Sequence, residues 1–337
     1  PGRRGSDLRY HPESEHTRMT TSYRDRTADL LRAIALFLLF AAHTSFPDSF
    51  QNIREFDVPL LFFLSGMSYV YSIQKNPPEQ KHYVLRRFHK LILKVWIFLA
   101  FFFLFFNGLL HSGISLSVIL NSFLMTGSGI MFVWVYRVFF LNSITLPILH
   151  EKTRKMPAEK RILIGIAALI VNDLIYWYLI SPMQNYVFQK LLTYLFSDTV
   201  GFTVLAWFGA LYTDLDEKGR IQFTLLFLVF YLIAGGLSGF PYLESMKYPP
   251  SLYFSSYGMF CSSLLYLLLN RKPDRIGNSD VWISKHCMDL YLAHIFVYYL
   301  GTWKIESPWI QFALLSAGSF LIVYAAETIR KAVKTHR

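Results

Sequence analysis

Residues 31–43 read LRAIALFLLFAAH, and in these thirteen positions only Arg32 and His43 are ionisable. A surface helix of a soluble domain alternates apolar and polar positions every three or four residues; this run does not. It is the centre of an apolar segment over about 28–46, and a helix needs ~20 such residues to cross a bilayer. Working outward, further apolar segments lie at about 57–74, 87–107, 130–149, 161–180, 188–212, 220–240, 251–270, 282–303 and 309–329, making ten. Composition agrees. Of 337 residues, 53% are hydrophobic and 16% charged, against roughly a quarter charged in globular chains. That excludes a disordered protein and argues against a soluble enzyme.

The basic residues orient these segments. With the N-terminus in the cytoplasm, the inner loops receive Lys75, Lys81, Arg86, Arg87, Lys90 and Lys94, then Lys152, Arg154, Lys155, Lys160 and Arg161, and later Arg271, Lys272 and Arg275. The outer loops receive only Arg54, Lys190, Lys247 and Lys304. This is the positive-inside bias. The net charge of +11 therefore reports topology, not nucleic-acid binding. The fold class read from the sequence is all-α: a polytopic membrane protein of about ten transmembrane helices around a central pore, with both termini cytoplasmic. Residues 1–22 read as a disordered tail or an artificial remnant around Met19, 23–332 as one membrane domain, and 333–337 as a cytoplasmic tail. Asp198 interrupts the sixth segment, so 186–197 is expected at the interface and 199–212 as a short helix dipping in. The stretch 111–126 reads as an outer-face or re-entrant piece. Cys261 and Cys287 form neither a disulfide framework nor a zinc pattern. No His/Asp/Glu cluster has metal-ligand spacing.

Ionisable groups at membrane depth are costly and mark candidate sites. Arg32 and His43 are eleven residues apart, ~16–17 Å along a helix and almost three turns, so both point in nearly the same direction. Either they serve a long substrate, with its anionic head at Arg32 and its reactive end at His43, or Arg32 snorkels to lipid phosphate while His43 bonds a neighbouring helix. Arg87, Lys90 and Lys94 share one face by 3 and 4 spacing, flanked by Arg86 and His89. This stripe suits the phosphates of a nucleotide-bearing donor, or anionic lipid. In FDVPLLFFLSGMSY (56–69), Ser65-Gly66 permits close packing against the first span, and Asp57 reads as a solvated helix start. Trp134 and Arg137 share a face. Arg137 falls near the depth of Asp173, which predicts an ion pair, with Asp173 orienting His43 as the alternative. His294 reads as a bundle histidine near the site, and Asp289, Asp198 and Glu327 complete the set. Lys247 is placed to meet a substrate, and Gly235 and Gly239 read as a packing GxxxG.

At these residues the sequence resembles the membrane acyltransferase family 3. Arg32 and His43 match that family's Arg-x10-His motif, VPLLFFLSG follows at the second segment, and RRFHK resembles the basic motif that opens the third. WVYR, YPPSLY and YLAH are smaller echoes. Where the family's third-segment motif usually carries a second Arg this chain has Lys90, and where it often has Pro this chain has Lys94. The resemblance implies transfer of an acyl group, usually acetyl, from cytoplasmic acyl-CoA to a hydroxyl of a surface glycan or its lipid-linked precursor. It implies a catalytic role for His43 and Arg32 and donor binding by Arg86, Arg87 and Lys90. Ser65, Trp134, Arg137, Asp173 and His294 are candidates to line the site. Acetyl-CoA or another acyl-CoA is then a substrate, with no permanently bound cofactor. The partners are a carbohydrate or glycolipid acceptor and membrane lipids; a homo-oligomer is left open. The location is a cell membrane, bacterial inner or plasma. Rival readings are a glycan or lipid exporter and a membrane scaffold.

Overall fold

The structure, a computed structural model, describes residues 25–75, 80–270 and 277–335. The expected tail 1–22 and the basic residues Arg271, Lys272 and Arg275 lie outside the described residues. The described residues are all-α, with no strand among them.

The chain opens on α1 (Arg26–Ala42), begun by Asp25, whose side chain accepts the Ala28 amide at 2.9 Å. Asp25 also accepts the hydroxyls of Tyr71 (3.1 Å) and Tyr266 (3.0 Å), which fixes this end of α1 to two other helices. A short α2 (Asp48–Ile53) and a long α3 (Asp57–Lys75) follow. Next, α4 (Gln80–Phe88) runs through a wide π turn at His89–Leu93 into α5 (Lys94–Phe103). The eight-residue α6 (Leu116–Phe123) lies in the 111–126 stretch and is too short to cross a bilayer. Beyond it come α7 (Trp134–Thr153) and α8 (Ala158–Ile175), then α9 (Tyr186–Leu192) joined by a π turn at Thr193–Ser197 to α10 (Asp198–Tyr212). The last four are α11 (Glu217–Ser238), α12 (Leu252–Leu269), α13 (Asn278–Tyr299) and α14 (Pro308–Thr335).

Among the described residues, seven helical stretches are long and apolar enough to cross a membrane. The three expected segments outside this set are α1, with 17 residues, and α7 and α13, whose polar side chains dilute their apolar runs. These three helices carry Arg32 and His43, Arg137, and His294.

The centre of the bundle is the crossing of α3 and α10. A methyl group on Gly66 would collide with the carbonyl oxygen of Ala206, and one on Gly209 with the carbonyl oxygen of Phe63. The two helices therefore touch backbone to backbone, as small residues allow in membrane proteins. Gly66 thus packs on α10, not on the first segment as its sequence setting suggests. Aromatic rings seal the crossing: Phe62 stacks on Phe139 (4.2 Å between centroids) and Phe202 (4.6 Å). The chain from Tyr186 to Tyr212 is helical without a break, against the expected interruption at Asp198. The reason is electrostatic: Asp198 is buried against Arg137 at 3.1 Å, so it has no need of water at an interface. Gly239 also departs from expectation. It ends α11 in the left-handed region (φ +76°), and the Phe240 amide turns back to the Gly235 carbonyl at 2.8 Å. It is a helix stop, not half of a packing motif.

The α3–α10 contact makes a direct prediction. Gly66→Ala or Gly209→Ala should lower the melting temperature of the detergent-purified protein, at an overpacking cost of ~1–3 kcal/mol. Gly236→Ala, on α11 with nothing near its missing methyl, should be neutral or mildly stabilising. Equal melting temperatures for all three variants would contradict the close crossing.

Candidate active site

Arg32 lies in the second turn of α1, and His43 lies just past its end. The Arg32 guanidinium donates to Asp29 (3.0 Å), to Ser284 Oγ (3.0 Å) and to Ser68, joining α1, α3 and α13. Ser284 in turn donates to Asp29 at 2.6 Å. The helix stops at Ala42, and His43 is the first residue past it. Its ring lies 3.8 Å from that of Phe132 between centroids, and its Nδ1 is 3.1 Å from Nε2 of His294. Ser284 and His294 are ten residues apart on α13, matching the eleven between Arg32 and His43. So α1 and α13 run side by side in the same direction, with a polar rung at each of these two levels. Arg32 and His43 do share a face of α1.

His43 lines a cavity of about 650 Å³. Its walls come from the turn after α1, the start of α7, the α9–α10 stretch and the loop 244–248, with Trp134, Tyr194, Tyr248 and Trp303 presenting aromatic surface. Arg137 lines the cavity as well. It donates to Asp198 (3.1 Å) and to the Met125 carbonyl (2.8 Å), and its guanidinium sits 4.5 Å from the centroid of the Tyr194 ring. Trp134 meets Tyr248 edge to face at 4.8 Å. Arg54, Asp57 and Lys247 of the lining belong to a charged chain, in which Arg54 pairs with Glu55 (2.8 Å) and Asp57 (2.9 Å), and Lys247 with Glu55 (2.5 Å). All four side chains are buried. Burial pulls the Lys247 ammonium down, but Tyr248, Glu55 and Asp57 outweigh it and hold it above the usual lysine value.

The structure brings some of the predicted residues together and disperses others. His43, Trp134 and Arg137 line the cavity, while His294 is fully buried directly behind His43. Asp173 is elsewhere: it accepts the Leu252 amide at 2.8 Å and caps the start of α12. It pairs with neither Arg137 nor His43; depth counted along one helix does not distinguish Asp173 from Asp198. Ser65 is also off the cavity, donating to the Phe62 carbonyl (2.7 Å) with Asn142 at 3.4 Å. Arg32, Arg86, Arg87 and Lys90 do not line it either; its lining stops at Leu39 and Tyr291. Buried Leu36 stands between Arg32 and His43 on α1, and Tyr136, whose hydroxyl donates to the Met288 carbonyl at 2.8 Å, stands at the same level against α13. Along the basic stripe, which carries a π turn at His89–Leu93, Arg86 and Lys90 are exposed, Arg87 is half-buried with its Nε donating to the Tyr83 hydroxyl (3.2 Å), and Lys94 pairs with Asp289.

Sequence reading missed the Arg54–Glu55–Asp57–Lys247 chain and took Asp57 as solvated. A signal existed: Arg54 and Lys247 are two of only four basic residues expected on that side of the bundle. A basic residue retained there against the charge bias needs a local reason.

A family model described as an acyltransferase domain, that of acyltransferase family 3, matches residues 26–328. No curated protein and no solved structure matches the chain.

The charged wall can be tested by its asymmetry. Glu55→Gln leaves Lys247 without its carboxylate and should cost ~3–5 kcal/mol, the range for breaking a buried pair. Lys247→Met leaves Glu55 with Arg54 and should cost distinctly less. Chemical or thermal unfolding of the two variants decides the order, and a reversed order would contradict the described pairing.

Proposed function

The chain belongs to the membrane acyltransferase family 3, and from that premise we propose that it is an integral-membrane O-acyltransferase. It moves an acyl group, with acetyl the first choice, from cytoplasmic acyl-CoA to a hydroxyl of a surface glycan or its lipid-linked precursor. His43 is the general base. The observation that carries this reading is the placement of an imidazole on a large polar and aromatic cavity, eleven residues along from Arg32 at the end of α1.

In this proposal the ten helical segments cross a cell membrane with both termini in the cytoplasm, so the cavity opens outward. Arg86, Arg87 and Lys90 hold the phosphates of the donor, as exposed or half-exposed cations do. Arg32 marks the entrance. Its bonds to Asp29, Ser68 and Ser284 hold it at the junction of three helices. The thioester arm passes along the α1–α13 seam, where movement of the Tyr136 side chain opens the central pore. The aromatic faces of Trp134, Tyr248 and Trp303 offer flat apolar surface to a sugar ring. In the reaction the acceptor O–H proton moves to His43 as the new O–C bond forms. The C–S bond of the thioester breaks, and CoA leaves as a thiolate that recovers the proton from His43. General-base action of this kind contributes ~10²–10⁴-fold. Arg137, on the cavity wall, supplies positive charge near the developing oxyanion.

Two outcomes follow. His43→Ala should reduce label transfer from acetyl-CoA into the glycan fraction of expressing cells by ~100-fold or more, with the folded protein still in the membrane. Undiminished transfer would refute the assigned role. With purified protein and an isolated lipid-linked glycan acceptor, Arg87→Gln combined with Lys90→Gln should raise KM for acetyl-CoA more than KM for the acceptor. An unchanged donor KM would remove the phosphate-holding assignment.

A further inference from the structure

The hydrogen bonds behind His43 determine which of its nitrogens carries a proton. His294 Nδ1 lies on the backbone carbonyl oxygen of Tyr291. A carbonyl only accepts, so this nitrogen bears the hydrogen. Neither imidazole has a carboxylate partner among the described residues, and a buried charge without a partner is costly, so His294 is neutral. Its Nε2 then holds a lone pair. His43 Nδ1, 3.1 Å away, must donate to it. That leaves His43 Nε2 as the unprotonated nitrogen. No described group bonds Nε2, and it is not among the sealed, unpartnered polar atoms, so it reaches the cavity.

The arrangement closes on itself. The Tyr291 hydroxyl donates to the Phe132 carbonyl at 2.6 Å, which holds the residue whose own carbonyl holds His294. The Phe132 ring covers His43, and Phe40 packs on His294 with centroids 5.2 Å apart. Neither imidazole can flip without breaking a bond inside a packed core.

We propose that His294 is a positioning residue: it fixes His43 as the Nδ1–H tautomer, so that the bare Nε2 faces the acceptor hydroxyl. Imidazoles in water prefer the opposite tautomer, so without His294 the nitrogen presented to the cavity would mostly carry hydrogen and could not accept a proton. The inference rests on the reading of His43 as the base, and adds which atom does the work and what holds it. When the acceptor proton arrives at Nε2, the Nδ1–H to His294 bond becomes charge-assisted and steadies the imidazolium until the CoA thiolate takes the proton.

The test uses the full chain in lipid nanodiscs with acetyl-CoA and the isolated glycan acceptor. His294→Phe keeps the ring and removes the acceptor. It should lower kcat by ~100-fold or more, the scale of general-base loss or of a mis-set tautomer in a catalytic histidine, with KM for acetyl-CoA unchanged. His294→Gln places a carbonyl toward His43 and an amide N–H toward Tyr291, and should restore much of the lost kcat. Nitrogen-15 NMR of histidine-labelled wild-type protein gives a readout independent of activity. His43 should show a protonated Nδ1 and a bare Nε2, reverting in His294→Phe. A His43 protonated at Nε2 in the wild type overturns the proposal even if neither variant folds. So does full activity in His294→Phe alongside an inactive His43→Ala, whereas an active His43→Ala removes the base assignment itself.

Discussion

An ionisable side chain inside a lipid-facing bundle must find a partner, and that requirement organises the molecule. The cost of an unpaired charge at membrane depth is several kcal/mol, comparable with the whole margin of stability of a domain. Each deep charge here has an answer. Arg137 has Asp198, Arg54 has Glu55 and Asp57, Lys247 has Glu55, Arg32 has Asp29, and Lys94 has Asp289. Two of these pairs, Arg137–Asp198 and Lys94–Asp289, join helices far apart in the chain, so satisfying them also fixes which helices are neighbours. The helices least suited to lipid by composition, α1, α7 and α13, are joined by hydrogen bonds instead, from Arg32 to Ser284 and from Tyr136 to the Met288 carbonyl.

Packing supplies the counterpart. The α3–α10 crossing has no charge in it; two glycines let backbones touch, and stacked phenylalanines fill the space around them. This apolar post sits beside the polar cavity and gives Arg137 and Asp198, on α7 and at the head of α10, a rigid mount. The seam between α1 and α13 works differently. It is polar at both ends and apolar in the middle, where Leu36, Tyr136 and Tyr291 are buried. The Arg32–Ser284 and His43–His294 hydrogen bonds hold the two backbones together on either side of that middle stretch.

Much of the fold was legible because most of the long helices are announced by an apolar run. The runs at 57–74 and 282–303 end within a few residues of α3 and α13. The shared face of Arg32 and His43 was legible too, because helical periodicity within one element needs no knowledge of its neighbours. What sequence did not reveal was pairing across elements. Asp173 and Asp198 sit at comparable counted depths, and only packing shows that Asp198 faces Arg137. The Glu55–Lys247 pair spans 192 positions and has no periodic signature. The π turn at His89–Leu93 leaves no mark in the apolar pattern of its segment. His294 was visible as an intramembrane histidine, but its contact with His43 depends on α1 and α13 running side by side with these two residues at one level.

The central claim is that a thioester presented at the Arg32 end is consumed at an imidazole reached from the other end. Sidedness measures it directly. Protein is reconstituted in one orientation in sealed proteoliposomes, with labelled acetyl-CoA confined to the side bearing the basic loops and a membrane-impermeant glycan acceptor confined to the opposite side. The account predicts acylated acceptor on one side and an equal amount of free CoA on the other. Acylation occurring only when both substrates share a compartment would contradict it.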